Sequence, residues 1–281
     1  MKRKKKRLVP VLCLAVLAVL AYARWVEPSF IRTDSYSVTA QLSVEPCRVV
    51  FFSDTHFGKN YSGEKASAVA KAVNACEPDI VIFGGDLLDN YARDKNELDL
   101  DLICEAFASI EAPGGKFAVW GNHDYGGGAS RIYEDVMAAG GFQVLNDESV
   151  LLEQYGVRVV GYDDTLMGRT APSLYELHSG EFLIVAAHEP EVSLQLSGAE
   201  DALVLSGHTH GGQVNLPVLT ERLLPPGSGP FRKGFYPAGS KEGQQYSTYV
   251  TSGLGTTQIP LRFLAMPEIV EITIVPDAQN A

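Results

Sequence analysis

Five short apolar runs in this chain end alike, and no other feature limits its fold as tightly. "RVVFF" runs into Ser53-Asp54-Thr55-His56, "DIVIFG" into Gly85-Asp86, and "FAVW" into Gly121-Asn122-His123-Asp124; "FLIVAA" runs into His188-Glu189 and "ALVLS" into Gly207-His208-Thr209-His210. Near-continuous apolar runs of this length read as strands covered on both faces. Helix-period stretches, "GEKASAVAKAVNACEP" and "LDLDLICEAFASIEAP", separate the early runs, while the later ones ("VRVVGYDD", "STYVTSGLG", "EIVEITIV") follow more closely. Strands and helices in that order predict a layered α/β domain. Ligands and reacting groups of open α/β sheets gather beyond the carboxyl ends of strands, so five polar clusters placed there predict one site. A chain of 281 residues, 46% of them hydrophobic, is long enough to bury such a core.

Five of the six histidines, His56, His123, His188, His208 and His210, stand at these strand ends; only His178 does not, and it reads as a surface residue. Asp54, Asp86 and Asn122 add oxygen donors, and no cysteine accompanies them. A mixed imidazole and oxygen set without thiolate suits Mn²⁺, Fe or Zn²⁺ in a catalytic setting better than a structural zinc. Glycines beside the histidines let the backbone pass close to such a site.

The N-terminus is a separate unit. "MKRKKKR" precedes sixteen uncharged residues, Leu8–Ala23, which span roughly 24 Å as a helix. With snorkelling Lys and Arg side chains and Trp25 at the interface, this reads as an uncleaved single-pass anchor that leaves residues 25–281 outside the cytoplasm. Ala21-Tyr22-Ala23 also fits a cleavage site, so secretion after signal removal is the rival. Of the 23 Lys and Arg, six lie in that basic head, which leaves 17 against 34 Asp and Glu. A remainder of that balance repels DNA and RNA, and no nucleic-acid partner is expected. Cys47, Cys76 and Cys104 form an odd set with no metal spacing, and no disulfide is assigned among them.

Taken together, Asp54-x-His56, Gly85-Asp86-x-x-Asp89, Gly121-Asn122-His123-Asp124, His188 and Gly207-His208-x-His210 resemble the ordered signature of the calcineurin-like metallophosphoesterases. "HGGQVNLP" and "GLGTTQIPLRFLAMPEIVEITI" resemble the membrane-anchored bacterial branch that includes YkuE and YaeI. The resemblance covers roughly residues 45–275 and implies a four-layer α/β/β/α sandwich. It further implies two divalent metal ions: one held by Asp54, His56, Asp86 and His210, the other by Asp86, Asn122, His188 and His208, with Asp86 bridging. His123 would then stabilise the transition state or protonate the leaving oxygen, its ring oriented by Asp89 or Asp124. Asp89 reads equally well as a helix cap.

The expected organisation is a basic head and anchor over 1–24, a linker or edge strand over 25–46, the catalytic domain over 47–276 and a tail over 277–281. The expected reaction is phosphoester hydrolysis, with a diester on a lipid-linked or envelope-related substrate favoured. The alternatives are a phosphomonoesterase or protein phosphatase on the same site, and a noncatalytic metal-binding envelope protein. Oligomeric state is not read from the sequence. The loop "ERLLPPGSGPFRKGFYPAGS", with Arg222, Arg232 and Lys233, reads either as a cover over the site or as ordinary surface.

Overall fold

A computed structural model describes residues 2–170, 180–216 and 220–277. His178 and the last four residues of the expected tail lie outside the described residues.

Two six-stranded sheets form the domain. The first runs β1 (Arg32–Ala40), β12 (Glu268–Pro276), β2 (Cys47–Phe52), β3 (Ile80–Phe83), β4 (Lys116–Ala118), β5 (Gln143–Val144). The second runs β10 (Gly234–Tyr236), β11 (Ser247–Val250), β9 (Ala202–Ser206), β8 (Phe182–Ala186), β7 (Val157–Gly161), β6 (Glu148–Leu152). β2 to β5 are parallel, as are β7, β8, β9 and β11; only β12 against β2, and the outer strands β6 and β10, run antiparallel.

The two-residue period of a strand sorts its side chains between layers. Val49, Phe51, Ile80, Ile82, Phe117 and Val119 point inward and meet Val157, Val159, Phe182, Ile184, Leu203 and Leu205 of the other sheet. Their alternate neighbours, Val50, Phe52, Val81, Phe83, Ala118 and Trp120, face the helices α2 (Glu64–Asn74), α4 (Leu100–Ala108) and α6 (Tyr133–Ala139). α2 buries Ala66, Val69, Ala70 and Val73, one helical stripe. Asp99 caps α4 by accepting the Leu102 amide at 3.2 Å, and the helix sets Phe107 against Phe52, Phe57, Phe83 and Phe142. On the outer face of the second sheet, Leu183, Val185 and Val204 pack with Val192 of a short 3-10 segment, Pro190–Leu194, and with Leu196 just beyond it. The fourth layer is therefore thin among the described residues. The four-layer α/β expectation holds, and part of the expected linker is β1, an edge strand paired in parallel with β12.

α1 (Lys2–Ala21) continues into one π-helical turn over Tyr22–Val26. Residues Val9–Ser29 are long and apolar enough to cross a bilayer, and almost all of their surface is exposed; a signal sequence meets the same criterion. The end of this helix is fastened to the domain. Ala23 O accepts the Arg262 amide at 2.9 Å, and the buried Glu27 carboxylate accepts the amides of Leu264 (3.1 Å) and Ala265 (2.7 Å). Tyr22 meets Phe263 edge-on. All four cysteines are free thiols, and burial, then Asp79, pushes the Cys47 pKa up to about 12.

Phe107 is fully buried at the centre of that aromatic group. Phe107→Ala is expected to destabilise the domain by about 3–5 kcal/mol, read by urea unfolding, while metal bound per folded molecule stays unchanged.

Candidate metal centre

Each expected ligand leaves its strand within four residues of the strand's end, and the two sheets bring these ends together. Asp54 and His56 follow β2, Asp86 follows β3, Asn122 and His123 open α5 (Asn122–Tyr125) after β4, His188 follows β8, and His208 and His210 follow β9. Asp86 Oδ2 lies 3.3 Å from His56 Nε2 and 3.2 Å from His188 Nε2. Asp54 Oδ1 lies 3.5 Å from His210 Nε2 and 4.0 Å from both His56 Nε2 and His188 Nε2. The Nε2 atoms of His56 and His210 face each other at 2.9 Å, and His208 Nδ1 lies 3.1 Å from Asn122 Oδ1. All seven expected ligands thus converge.

The backbone is bent to achieve this. Asp54, His56, Asp86, His208 and His210 all hold positive φ, between 42° and 67°. Left-handed backbone costs a non-glycine residue about 1–2 kcal/mol, and its concentration at one place marks a functional site. Hydrogen bonds hold the bends: Asp54 N to Gly85 O at 2.9 Å, His56 N to Asp86 O at 3.0 Å and Gly255 N to Asp54 O at 2.7 Å. Gly85, at φ 87°, packs so closely that a Cβ there would sit 2.7 Å from Gly121 N.

Main-chain carbonyls fix the rings. His188 Nδ1–H donates to Gly84 O at 2.7 Å and leaves Nε2 aimed at the carboxylates. His208 Nε2–H donates to Pro226 O at 2.7 Å and leaves Nδ1 aimed at Asn122. This arrangement sets both tautomers as a metal ligand requires. Between His208 and His210, Thr209 turns away and donates its hydroxyl to Arg232 O.

Burial pushes the His56 pKa down to about 3 and that of His208 to about 4; burial, then His56 and Arg262, hold His210 well below its usual value. These rings are neutral at physiological pH and carry free lone pairs. Burial opposes a charge on His188, but Asp86 and Asp54 outweigh it and hold its pKa well above the usual one. For Asp86, burial acts to raise the pKa, yet His188 and His56 overcome it and hold the carboxyl well below its range.

These residues fit a divalent metal centre. His188 Nε2 is buried and makes no hydrogen bond, although Asp86 Oδ2 is only 3.2 Å away. Lone pairs of His56, His210 and, once it gives up its proton, His188 point with two carboxylates into one small volume, an arrangement that a divalent cation would stabilise. Asp54, His56 and His210 form one candidate set, and Asp54, Asp86 and His188 another.

The two carboxylates expected behind His123 stand differently from that reading. His123 Nδ1–H donates to the Asp89 main-chain carbonyl at 2.8 Å, whereas Asp89 Oδ1 is 3.8 Å away. The Asp89 carboxylate takes Arg93 Nη2 at 2.5 Å and the Thr257 hydroxyl at 3.2 Å. Asp124 does not face the ring. Its carboxylate accepts the amides of Asp86 (2.8 Å), Leu87 (2.9 Å) and Gly121 (3.0 Å), so it ties the turn after β3 to the turn after β4. Burial opposes a charge on His123, but Asp86 and the Asp89 carbonyl raise its pKa above the usual value.

The sequence reading did not single out two contributors. Arg262, wholly buried, donates to Gly255 O and Ala265 O and places Nη2 3.3 Å from His210 Nδ1. Pro226 lies in the Pro/Gly-rich loop after the last histidine, and with Leu223 and Pro225 lining the adjoining cavity, that loop is part of the site. Lys233 is spent on Leu264 O at 3.1 Å. The cavity, about 610 Å³, opens over Asp86, Asn122, His123, His208 and His210.

Residues 47–212 match the family model described as calcineurin-like phosphoesterase. The chain is 33% identical over 261 residues to the uncharacterized metallophosphoesterase YkuE of Bacillus subtilis, covering 90% of this chain and 88% of that one. It is 28% identical over 270 residues to an uncharacterized metallophosphoesterase of Aquifex aeolicus, covering 92% and 97%. Among solved structures, a dimetal phosphatase from Danio rerio superposes with a TM-score of 0.47 at 11% identity, over 75% of this chain and 88% of that one.

Burial, then Asp86, pushes the Asp54 carboxyl up to about 6, so below that pH a proton at Asp54 joins the one that His188, held well above its usual value, already sets against the metal. Calorimetric titration with Mn²⁺ is expected to show affinity falling as the pH is lowered, with about a further tenfold loss per pH unit below 6. Asp86→Asn is expected to reduce the metal retained after dialysis, by elemental analysis.

Proposed function

The chain belongs to the calcineurin-like phosphoesterase family, whose reaction is phosphoester hydrolysis, and from that premise we propose that it is a two-metal phosphodiesterase held at the outer face of a membrane. In this reading Asp54, His56, Asp86 and His210 hold one cation, Asp86, Asn122, His188 and His208 hold the other, and Asp86 is shared. Two divalent ions held by these residues would supply positive charge for the phosphoryl oxygens and would lower the pKa of water there.

The chain's own groups do the rest. His123 Nδ1 is held by the Asp89 carbonyl, which leaves Nε2 free to give a proton to the departing oxygen; its raised pKa keeps that proton available near neutrality. Asp124 and the left-handed backbone at Asp54, Asp86 and His210 hold the ligands before any substrate arrives.

One observation favours a diester over a monoester. Among the described residues that line the cavity there is no Lys or Arg, and Val214, Leu216, Leu223, Pro225 and Ile259 form much of its wall. A monoester dianion calls for more positive charge than this wall offers, whereas a diester monoanion brings a second substituent that the apolar wall can accept. α1, with its basic head, supports anchorage with the domain outside the cytoplasm, where a lipid-linked or other envelope substrate would reach it. The catalytic unit in this proposal spans 47–276, with 1–24 as anchor and β1 closing its first sheet.

The test uses the full chain in detergent, stripped of metal and reloaded with Mn²⁺, Fe²⁺ or Zn²⁺. Bis(p-nitrophenyl) phosphate is expected to be cleaved in preference to p-nitrophenyl phosphate, only when metal is restored. Preference for the monoester would replace this reading with a phosphatase; silence on both with metal bound would favour the noncatalytic one. His123→Ala is expected to lower kcat by about 10²–10⁴ with metal content unchanged.

A further inference from the structure

The cavity over the metal residues carries an apolar lip that the reaction does not require. Leu223 and Ile259 line it and are nevertheless 70% and 60% exposed, and Leu264, further along the loop that bears Ile259, is 56% exposed. Single exposed leucines on a protein surface are ordinary, but large apolar side chains gathered at the mouth of one cavity mark an interaction surface.

What covers that surface follows from where the helix is fastened. The segment that presents Ile259 and Leu264 is the one that grips the end of α1: Arg262 N bonds Ala23 O, and the amides of Leu264 and Ala265 bond Glu27. Phe263, which meets Tyr22, also pairs with the cavity wall, since its amide donates to Gln213 O at 2.9 Å and its carbonyl accepts Asn215 N at 2.8 Å. No free linker separates helix and domain at this contact. Ala23 is the last residue of the uncharged stretch, so whatever touches it sits at the level where a membrane-crossing helix leaves the hydrocarbon. Trp25 (68% exposed) and Phe30 stand bare at the same level, and exposed aromatic rings are at home in that interface.

We propose that Leu223, Ile259 and Leu264 rest in the bilayer interface, so that the active-site cavity opens onto the membrane rather than onto bulk water. Its substrate is then an amphiphilic phosphodiester that enters sideways from the lipid, with the phosphorus over the metal residues and its apolar part along Leu216, Leu223 and Ile259. This rests on the anchored, phosphodiesterase reading above and adds the partner surface and the side of entry. Beyond the basic head, 17 Lys and Arg stand against 34 Asp and Glu and offer no attraction to anionic headgroups, so apolar contact is the means of docking.

Two measurements on the full chain in phosphatidylcholine nanodiscs test it. In the first, Leu223→Trp and Ile259→Trp are compared with the parent chain in nanodiscs of brominated lipid. The added tryptophan is expected to lose at least half its emission, and emission equal to that in unbrominated discs overturns the membrane contact, whatever the enzyme hydrolyses. In the second, kcat/KM for dodecyl p-nitrophenyl phosphate is divided by that for methyl p-nitrophenyl phosphate. The ratio is expected to exceed ten and to fall at least tenfold in Leu223→Asn and in Ile259→Asn. A ratio near one in the parent chain overturns entry from the lipid. Cleavage of neither diester removes the phosphodiesterase reading, and the quenching result still decides the membrane face.

Discussion

Repulsion shapes this molecule. Two carboxylates and several imidazoles crowd together at the ends of five strands, buried at the floor of a cavity, with neighbouring donor atoms 2.9–3.5 Å apart. Left alone, such a group would turn its members toward water or take up protons. Rigid strands on one side, carbonyls behind His188 and His208, and the Asp124 carboxylate stapling two turns together prevent that escape. The left-handed residues are part of the same constraint, because relaxing any of them would swing a donor away from the centre. Charge of the opposite sign is the natural complement, and the family to which the chain belongs has chemistry that uses it.

How much of this was legible in the amino-acid sequence depends on how local each cause is. The ligands could be found because their signal is local: an apolar run gives the strand, and the polar residues at its end are read directly. The strands β2, β3, β4, β7, β8, β9, β11 and β12 were visible for the same reason, whereas β5 and β10, two and three residues long, are too short to show a period. β6 and α6 were missed as well, in a stretch where turns crowd the pattern.

What supports the ligands was not legible, because each cause lies far away or in the main chain. A carbonyl such as that of Pro226 carries no side-chain signature, and neither does the Asp89 carbonyl that holds His123. Asp124 looked like a partner for the adjacent ring but is committed to backbone amides 37 and 38 residues earlier. Arg262 and Glu27 are more than two hundred residues apart, and only the fold brings the loop of one to the carboxylate of the other. Charged residues in an otherwise apolar setting were the available clue, and by itself that clue does not say which partner each has found.

The placement of β12 has a further consequence for synthesis. It lies between β1 and β2, pairing with one in parallel and the other antiparallel, and among the described residues β1 has no other strand neighbour. A chain made from its N-terminus must therefore carry β1 unpaired, through the making of both sheets' other strands, until residue 276 has appeared. The edge that β1 will cover stays open for that whole interval, and the loop that grips the helix end, just ahead of β12, arrives almost as late. Closure of the first sheet and fastening of the helix to the domain thus wait until every other strand of both sheets has been made, and synthesis that stops short of them leaves the first strand still searching.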